Sequence, residues 1–354
     1  DYGQPARPQL TIESLDSVIS RFARNGIVSM LELHDFTHIH TDTTAFNNQI
    51  LNWWLSAPVL DLIEKHKGHL LLNIANEYGP AMYPAPNYTL NPNYNTEITN
   101  WVKHYKSIIT HLRSVQITIP IVIDAPNYGM DYQTVINHAT EFNAHDPYHR
   151  IIMSCHAYWN IPANDVANII NQLSQLTVPV IFGEVGNVDF SCAAIPLETV
   201  LQTAQTKNMG WLAWSWHRDG ECPTRNMTAN ETAWNSTIDG QFSSLTSYGN
   251  TIVNNAQYGL KFHAEKMTNC VVGLEENQLD MKLYPNPVSD KLIIELDNTP
   301  ITQIIIFDLE GRIIQTIEGN NQSKMELKTA SLNNGIYILE VESQYGVSTY
   351  QIIK

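Results

Sequence analysis

The chain has 354 residues, 43% of them hydrophobic, which suits a globular protein with a real core and leaves room for two or three domains. Its 20 basic residues stand against 35 acidic ones, a net charge of −15, which argues against a nucleic-acid partner and against an anionic polymer as substrate. No apolar run approaches the ~20 residues that span a bilayer, and the 4 cysteines fit neither a disulfide-dense scaffold nor a CxxC metal site.

From residue 10 to about residue 258, short β-branched runs alternate with amphipathic stretches, the pattern of βα units on a parallel sheet. Thr11 is placed to cap a helix over 12–24, and Gly26 follows where a left-handed terminator is favoured. The expected strands are 28–34, 70–77, 120–125, 151–158, 178–184 and 210–216. Helices are expected near 58–66, 98–113, 132–142, 164–173 and 197–207. Each strand closes on a residue able to do chemistry or hold a substrate: His34, Glu77, Asp124, His156 with Tyr158, Glu184, and Trp214 with Trp216. Function spread over the C-terminal ends of many strands is the barrel pattern. A doubly wound sheet gathers its site at one switch point, usually with a glycine-rich loop, and the sequence has none. The fold class predicted is therefore α/β, a (β/α)8 TIM barrel without its first two strands, which belong before residue 1. No signal peptide opens the chain, and a barrel open at two strand edges is expected to aggregate.

After about residue 262 the texture changes. The sequence predicts a catalytic barrel over 1–268, a linker over 269–280 and a small all-β sandwich over 281–354. Strands are expected at 291–296, 303–307, 312–317, 336–341 and 349–353, separated by turn signals at 298–300, 308–311, 319–321 and 333–335. That tail holds no pair of titratable groups suited to chemistry, so its expected role is binding, sorting or anchoring.

Glu77 and Glu184 each close an apolar run where a purely structural sequence would place a turn residue. Glycoside hydrolysis needs two carboxylates facing across a sugar, and the fourth and seventh strands of a barrel bring their ends to opposite sides of its mouth. Glu77 is expected to be held protonated as a general acid, and Glu184 to stay ionised as a nucleophile beside Tyr158. His34, Asn76 and His156 are expected to support the pair, with Trp214 and Trp216, alternating on the last strand, as a stacking floor. The 8 Trp and 16 Tyr of the chain suit a neutral sugar polymer. Cys192 and Cys222 follow two successive strands, which makes them the candidate disulfide. The pair His38 and His40 raises a metal reading, but no acidic ligand ends the last strand, so no metal is expected. No cofactor motif is present.

At these residues the chain resembles the family 5 glycoside hydrolases, most closely their bacterial endo-β-1,4-mannanases. The resemblance lies in Leu31-Glu32-Leu33-His34-Asp35, Asn73-Ile74-Ala75-Asn76-Glu77, Ile123-Asp124-Ala125-Pro126, Cys155-His156-Ala157-Tyr158, Gly183-Glu184-Val185-Gly186 and Gly210-Trp211-Leu212-Ala213-Trp214-Ser215-Trp216. It implies a retaining hydrolase of β-1,4-mannan with Glu77 as acid/base, Glu184 as nucleophile and Trp214 as platform. Two departures stand out. An arginine that braces the nucleophile in the family lies on the strands missing here, and the loop over 187–196, carrying Cys192, differs from the mannanases.

The tail resembles the C-terminal sorting domain of the type IX secretion system of Bacteroidota, in Tyr284-Pro285-Asn286-Pro287, Asp308-Leu309-Glu310-Gly311-Arg312, Leu332-Asn333-Asn334-Gly335-Ile336-Tyr337 and Ile352-Ile353-Lys354. This implies export by that machinery and a secreted or surface-attached protein. The alternatives are a β-1,4-glucanase of the same family and a non-catalytic carbohydrate-binding surface protein, which would keep the tryptophans and need neither glutamate.

Overall fold

The computed structural model describes residues 11–34, 41–85, 87–216, 222–228, 245–267, 281–297, 299–308, 312–343 and 346–354. The predicted linker over 269–280 and the pair His38 and His40 lie outside the described residues. The chain divides into two compact units, Asp1–Cys270 and Val271–Lys354.

In the first unit six strands form one sheet: β1 (Ser29–Glu32), β2 (Leu70–Asn73), β3 (Ile121–Asp124), β4 (Ile151–His156), β5 (Val180–Val185) and β6 (Trp211–Ala213). Every pairing is parallel and the spatial order is the chain order. That order is what a barrel lays down, whereas a doubly wound sheet reverses at a switch point. These are six of a (β/α)8 barrel's eight strands, with β1 and β6 at the two edges. Burial follows position: all of β3 is buried, while β1 is partly exposed along its length.

Among the described residues, the longer helices flanking the sheet are α1 (Ile12–Arg24), α2 (Ala57–His66), α3 (Tyr94–Ser114), α4 (Tyr132–His145), α5 (Ala163–Leu173), α6 (Leu197–Thr206) and α7 (Ser247–Asn254). Thr11 caps α1 by accepting from the Ser14 amide at 3.2 Å, and Gly26 follows at φ +72°. α3 shows why these segments are helical and where they go. Its buried Ile98, Trp101, Val102, Tyr105, Ile108, Ile109 and Leu112 recur at three- and four-residue spacing, one stripe facing the sheet. Each fully buried aliphatic in such a stripe contributes roughly 1.5–3 kcal/mol.

The second unit contains β7 (Met281–Tyr284), β8 (Lys291–Leu296), β9 (Ile301–Phe307), β10 (Ile313–Gln322), β11 (Lys324–Lys328), β12 (Ile336–Ser343) and β13 (Gly346–Ile353). They make a four-stranded sheet ordered β10-β9-β12-β13 and a three-stranded sheet ordered β11-β8-β7, antiparallel throughout. Leu292, Ile294 and Leu296 of one sheet and Ile304, Ile306, Leu339 and Val341 of the other belong to one buried cluster. This is a sandwich with two strands more than the sequence suggests, β7 and β11.

Candidate active site

The loops at the C-terminal ends of β2 to β5 bring the polar residues together. β2 ends at Asn73, so Glu77 stands four residues beyond the strand in a turn rather than closing it. Its φ of +51° is left-handed, a conformation that costs a non-glycine residue roughly 1–3 kcal/mol and is concentrated at functional sites. Two bonds hold it there. The Glu77 amide donates to Asp124 Oδ2 at 3.0 Å, and Glu77 Oε1 takes a hydrogen bond from His156 Nδ1 at 2.7 Å. Asn76, buried beside it, ties the same turn to β1's loop through its amide and the Leu33 carbonyl at 3.1 Å.

His156 closes β4 and is fully buried at the centre of the cluster. Its ring lies against backbone on two sides. A Cβ on Gly129, which sits at φ +73°, would meet His156 Cγ at 2.3 Å, and one on Gly183 would lie 3.3 Å from its Nε2. Around it stand Glu77 at 2.7 Å, Asp124 at 3.4 Å and Glu184 at 3.7 Å. Burial alone would lower its pKa, but the charges of Glu184 and Asp124 and the bonds to Asp124 and Glu77 outweigh it and raise the pKa well above 6.5. Asp124, 0% exposed at the end of β3, also accepts from Asn73 Nδ2 at 3.0 Å. Burial works against its charge. The His156 imidazolium and the Glu77 amide overcome that and hold its pKa below the ordinary carboxylate value.

Glu184 lies in β5, buried, and accepts from the Tyr158 hydroxyl at 2.7 Å. Its pKa is pushed up to about 7, first by burial and then by the charge of Glu77, against the pull of His156, His34 and Tyr158. The raised pKa thus falls on the carboxylate expected to stay ionised. A carboxylate oxygen of Glu77, one of Glu184 and an imidazole nitrogen of His156 all lie within 4.8 Å of one another. Two carboxylates and an imidazole can also take a divalent cation. Here both nitrogens of His156 face carboxylates.

His34, just past β1, stacks on Trp214 with ring centroids 5.0 Å apart and planes at 14°. Its pKa is raised: Glu32, Glu184 and Glu77 outweigh the burial that would lower it. β6 ends at Ala213, so Trp214 and Trp216 do not alternate on a strand. The chain turns at a cis Trp214–Ser215 peptide, and Trp216 is 44% exposed. Cys192 and Cys222 are joined, linking the loops that follow β5 and β6. Asp124 stood out in the sequence as a polar end to an apolar run, with no role attached to it. Two residues that shape this site, Gly129 and Tyr248, whose hydroxyl donates to Val185 and Trp214 carbonyls at 2.6 and 3.1 Å, gave no local signal.

Fold and carboxylate pair define a class: a (β/α) barrel of the glycosidase kind, its two acids at the C-terminal rim. Residues 3–220 match the family described as cellulase (glycosyl hydrolase family 5), and with more than half of its length matched the chain belongs to that family. Residues 282–354 match a secretion system C-terminal sorting domain, a tail that marks the chain for secretion or attachment at the outer surface. A mannan endo-1,4-beta-mannosidase of Cellvibrio japonicus is 25% identical over 255 residues, which are 71% of this chain and 53% of that protein. One from Streptomyces lividans is 26% identical over 242 residues, 68% of this chain and 57% of the relative. The chain thus spans little more than half the length of these two. Among solved structures, a β-mannanase from Thermomonospora fusca superposes with a TM-score of 0.59 at 23% identity, covering 73% of this chain and 79% of that one, a likeness of fold. Among the described residues, no helix is long and apolar enough to cross a membrane.

Proposed function

We propose that this protein is a retaining, endo-acting hydrolase of β-1,4-mannan that works by double displacement on Glu77 and Glu184. The observation that carries the reading is the approach of the two carboxylates, within 4.8 Å, with His156 between them. Retaining glycosidases keep their carboxyls about 5–5.5 Å apart, whereas an inverting pair needs about 6.5–9.5 Å to admit a water. Glu184, gripped by the Tyr158 hydroxyl, attacks the anomeric carbon as an anion. Glu77 protonates the departing oxygen, then takes the proton from the water that releases the sugar. The reaction needs the proton on Glu77 and the charge on Glu184. His34 stacked on Trp214 supplies a flat wall beside Glu184 for a sugar face.

Mannan as the polymer rests on the named activity of the two relatives. The catalytic barrel is assigned to 1–268, a linker to 269–280, and a module read by the type IX export machinery to 281–354. Reducing-sugar release from glucomannan, galactomannan and carboxymethylcellulose, with Glu184→Gln beside wild type, tests both parts. Activity on the mannans that vanishes in the variant supports the reading. Cleavage of the cellulose alone keeps the mechanism and moves the substrate to glucan. No activity on any of them brings forward a carbohydrate-binding surface protein.

A further inference from the structure

We propose that Asp124 is a positioning residue for Glu77, holding the acid/base at its main chain and, through His156, at its carboxylate. The proposal rests on the reading of Glu77 as the acid/base. Asp124 sits at the end of β3 with no exposed surface. A carboxylate so placed gives up its hydration, and a fold needing only a polar plug there is as well served by an amide. The charge has a use in what the two oxygens touch. Oδ2 takes the amide of Glu77 at 3.0 Å. Oδ1 takes Asn73 Nδ2 at 3.0 Å and lies 3.4 Å from His156 Nε2. The other nitrogen of that ring donates to Glu77 Oε1 at 2.7 Å. One buried anion therefore reaches the same glutamate by two routes.

Both routes are needed because Glu77 is poorly placed on its own. Its backbone is left-handed at φ +51°, four residues beyond the strand, where nothing in the β2 ladder fixes it. Loss of the Asp124 anion leaves the Glu77 amide without its charged acceptor in a dry interior, and the turn is free to relax toward an ordinary conformation. A displacement of about 1 Å at the proton-donating oxygen is enough to cost a large factor in rate. The His156 route adds direction. With its ring held between Gly129 and Gly183, the imidazole cannot swing, so the Glu77 carboxylate has one orientation in which to be met. Asn73, on the adjacent strand, keeps Oδ1 from rotating toward Glu77.

The test uses the full chain and the variant Asp124→Asn, which preserves shape and one acceptor oxygen while removing the charge. Because the effect passes through the proton donor, it depends on how much the leaving group needs a proton. We expect kcat on galactomannan to fall about 100-fold with KM little changed. On 2,4-dinitrophenyl β-mannobioside, whose leaving group departs unprotonated, kcat/KM should stay within about threefold of wild type. In a Glu77→Ala background, Asp124→Asn should add almost nothing, since groups acting through one another are not additive. Equal losses on both substrates, or full additivity with Glu77→Ala, overturn the proposal and leave Asp124 a scaffold residue. Should Asp124→Asn not fold, His156→Asn cuts the side-chain route at its other end, and the same substrate contrast decides. Glu77→Ala alone separates the two claims. If it does not spare the dinitrophenyl substrate, the acid/base reading itself is wrong and the Asp124 proposal falls with it.

Discussion

Glu184 illustrates how a single residue's surroundings set when a site works. Burial and the neighbouring Glu77 push its pKa up to about 7, and the proposed nucleophile must act as an anion, so protonation is expected to switch catalysis off. The acid limb of kcat/KM is therefore expected above the ordinary carboxylate range, with activity lost as pH falls through it. The Tyr158 hydroxyl at 2.7 Å favours the ionised form. Tyr158→Phe removes that bond, which raises the pKa further and moves the acid limb to higher pH, an outcome read from the pH profiles of the two proteins. A limb that stays put or moves to lower pH is inconsistent with this account. Gly129 makes a second case. Its left-handed φ of +73° and the 2.3 Å approach of a would-be Cβ to His156 leave no room for alanine. Gly129→Ala should cost about 3 kcal/mol in chemical denaturation and displace the imidazole as well.

At the scale of elements, the sheet was legible because parallel strands are buried on both faces and so stand out as short β-branched runs, such as Ile121–Asp124 and Val180–Val185. What escaped notice had a physical reason each time. β11, Lys324–Lys328, alternates charge with partial burial and reads as surface. Asn320 and Asn321 do adopt positive φ, as a turn signal over 319–321 implies. The chain absorbs them in an irregularity between Glu318 and Gln322, and β10 runs on. α7 contains Gly249, which looks like a breaker but is there because a Cβ would lie 1.9 Å from the Met227 carbonyl oxygen. In the site, residues that close apolar runs, Asp124 among them, could be picked out, while Gly129 and Tyr248 act through partners distant in sequence. Arg113 shows how such a distant contact holds elements together. It donates through Nε and Nη2 to both oxygens of Asp146 at 2.8 and 2.7 Å and through Nη1 to the carbonyls of Ile117 and Ile119. Thus α3, the turn into β3 and the end of α4 meet on one buried guanidinium. Arg113→Ala strands the Asp146 charge and should cost about 3–5 kcal/mol, visible as a lower urea midpoint.

For the whole molecule, the two units divide the work between chemistry and address. The barrel unit carries the glutamates, and the sandwich matches a secretion sorting domain over 282–354. Removing residues 281–354 should leave the protein inside the producing cell. Immunodetection in cell and medium fractions checks this, and undiminished export of the shortened chain would contradict it. A net charge of −15 agrees with a neutral polymer as substrate.

The central claim is that Glu184 becomes covalently bonded to sugar while Glu77 handles the proton. Mass spectrometry of the protein treated with 2-deoxy-2-fluoro-β-mannobiosyl fluoride tests it most directly, because the 2-fluorine slows both steps while the good fluoride leaving group keeps formation of the glycosyl-enzyme fast enough for it to accumulate. The account predicts one added disaccharide on the peptide containing Glu184, absent in Glu184→Gln. Label on Glu77 or elsewhere, or unlabelled protein that nonetheless turns over mannan with inversion at the anomeric carbon, would contradict it.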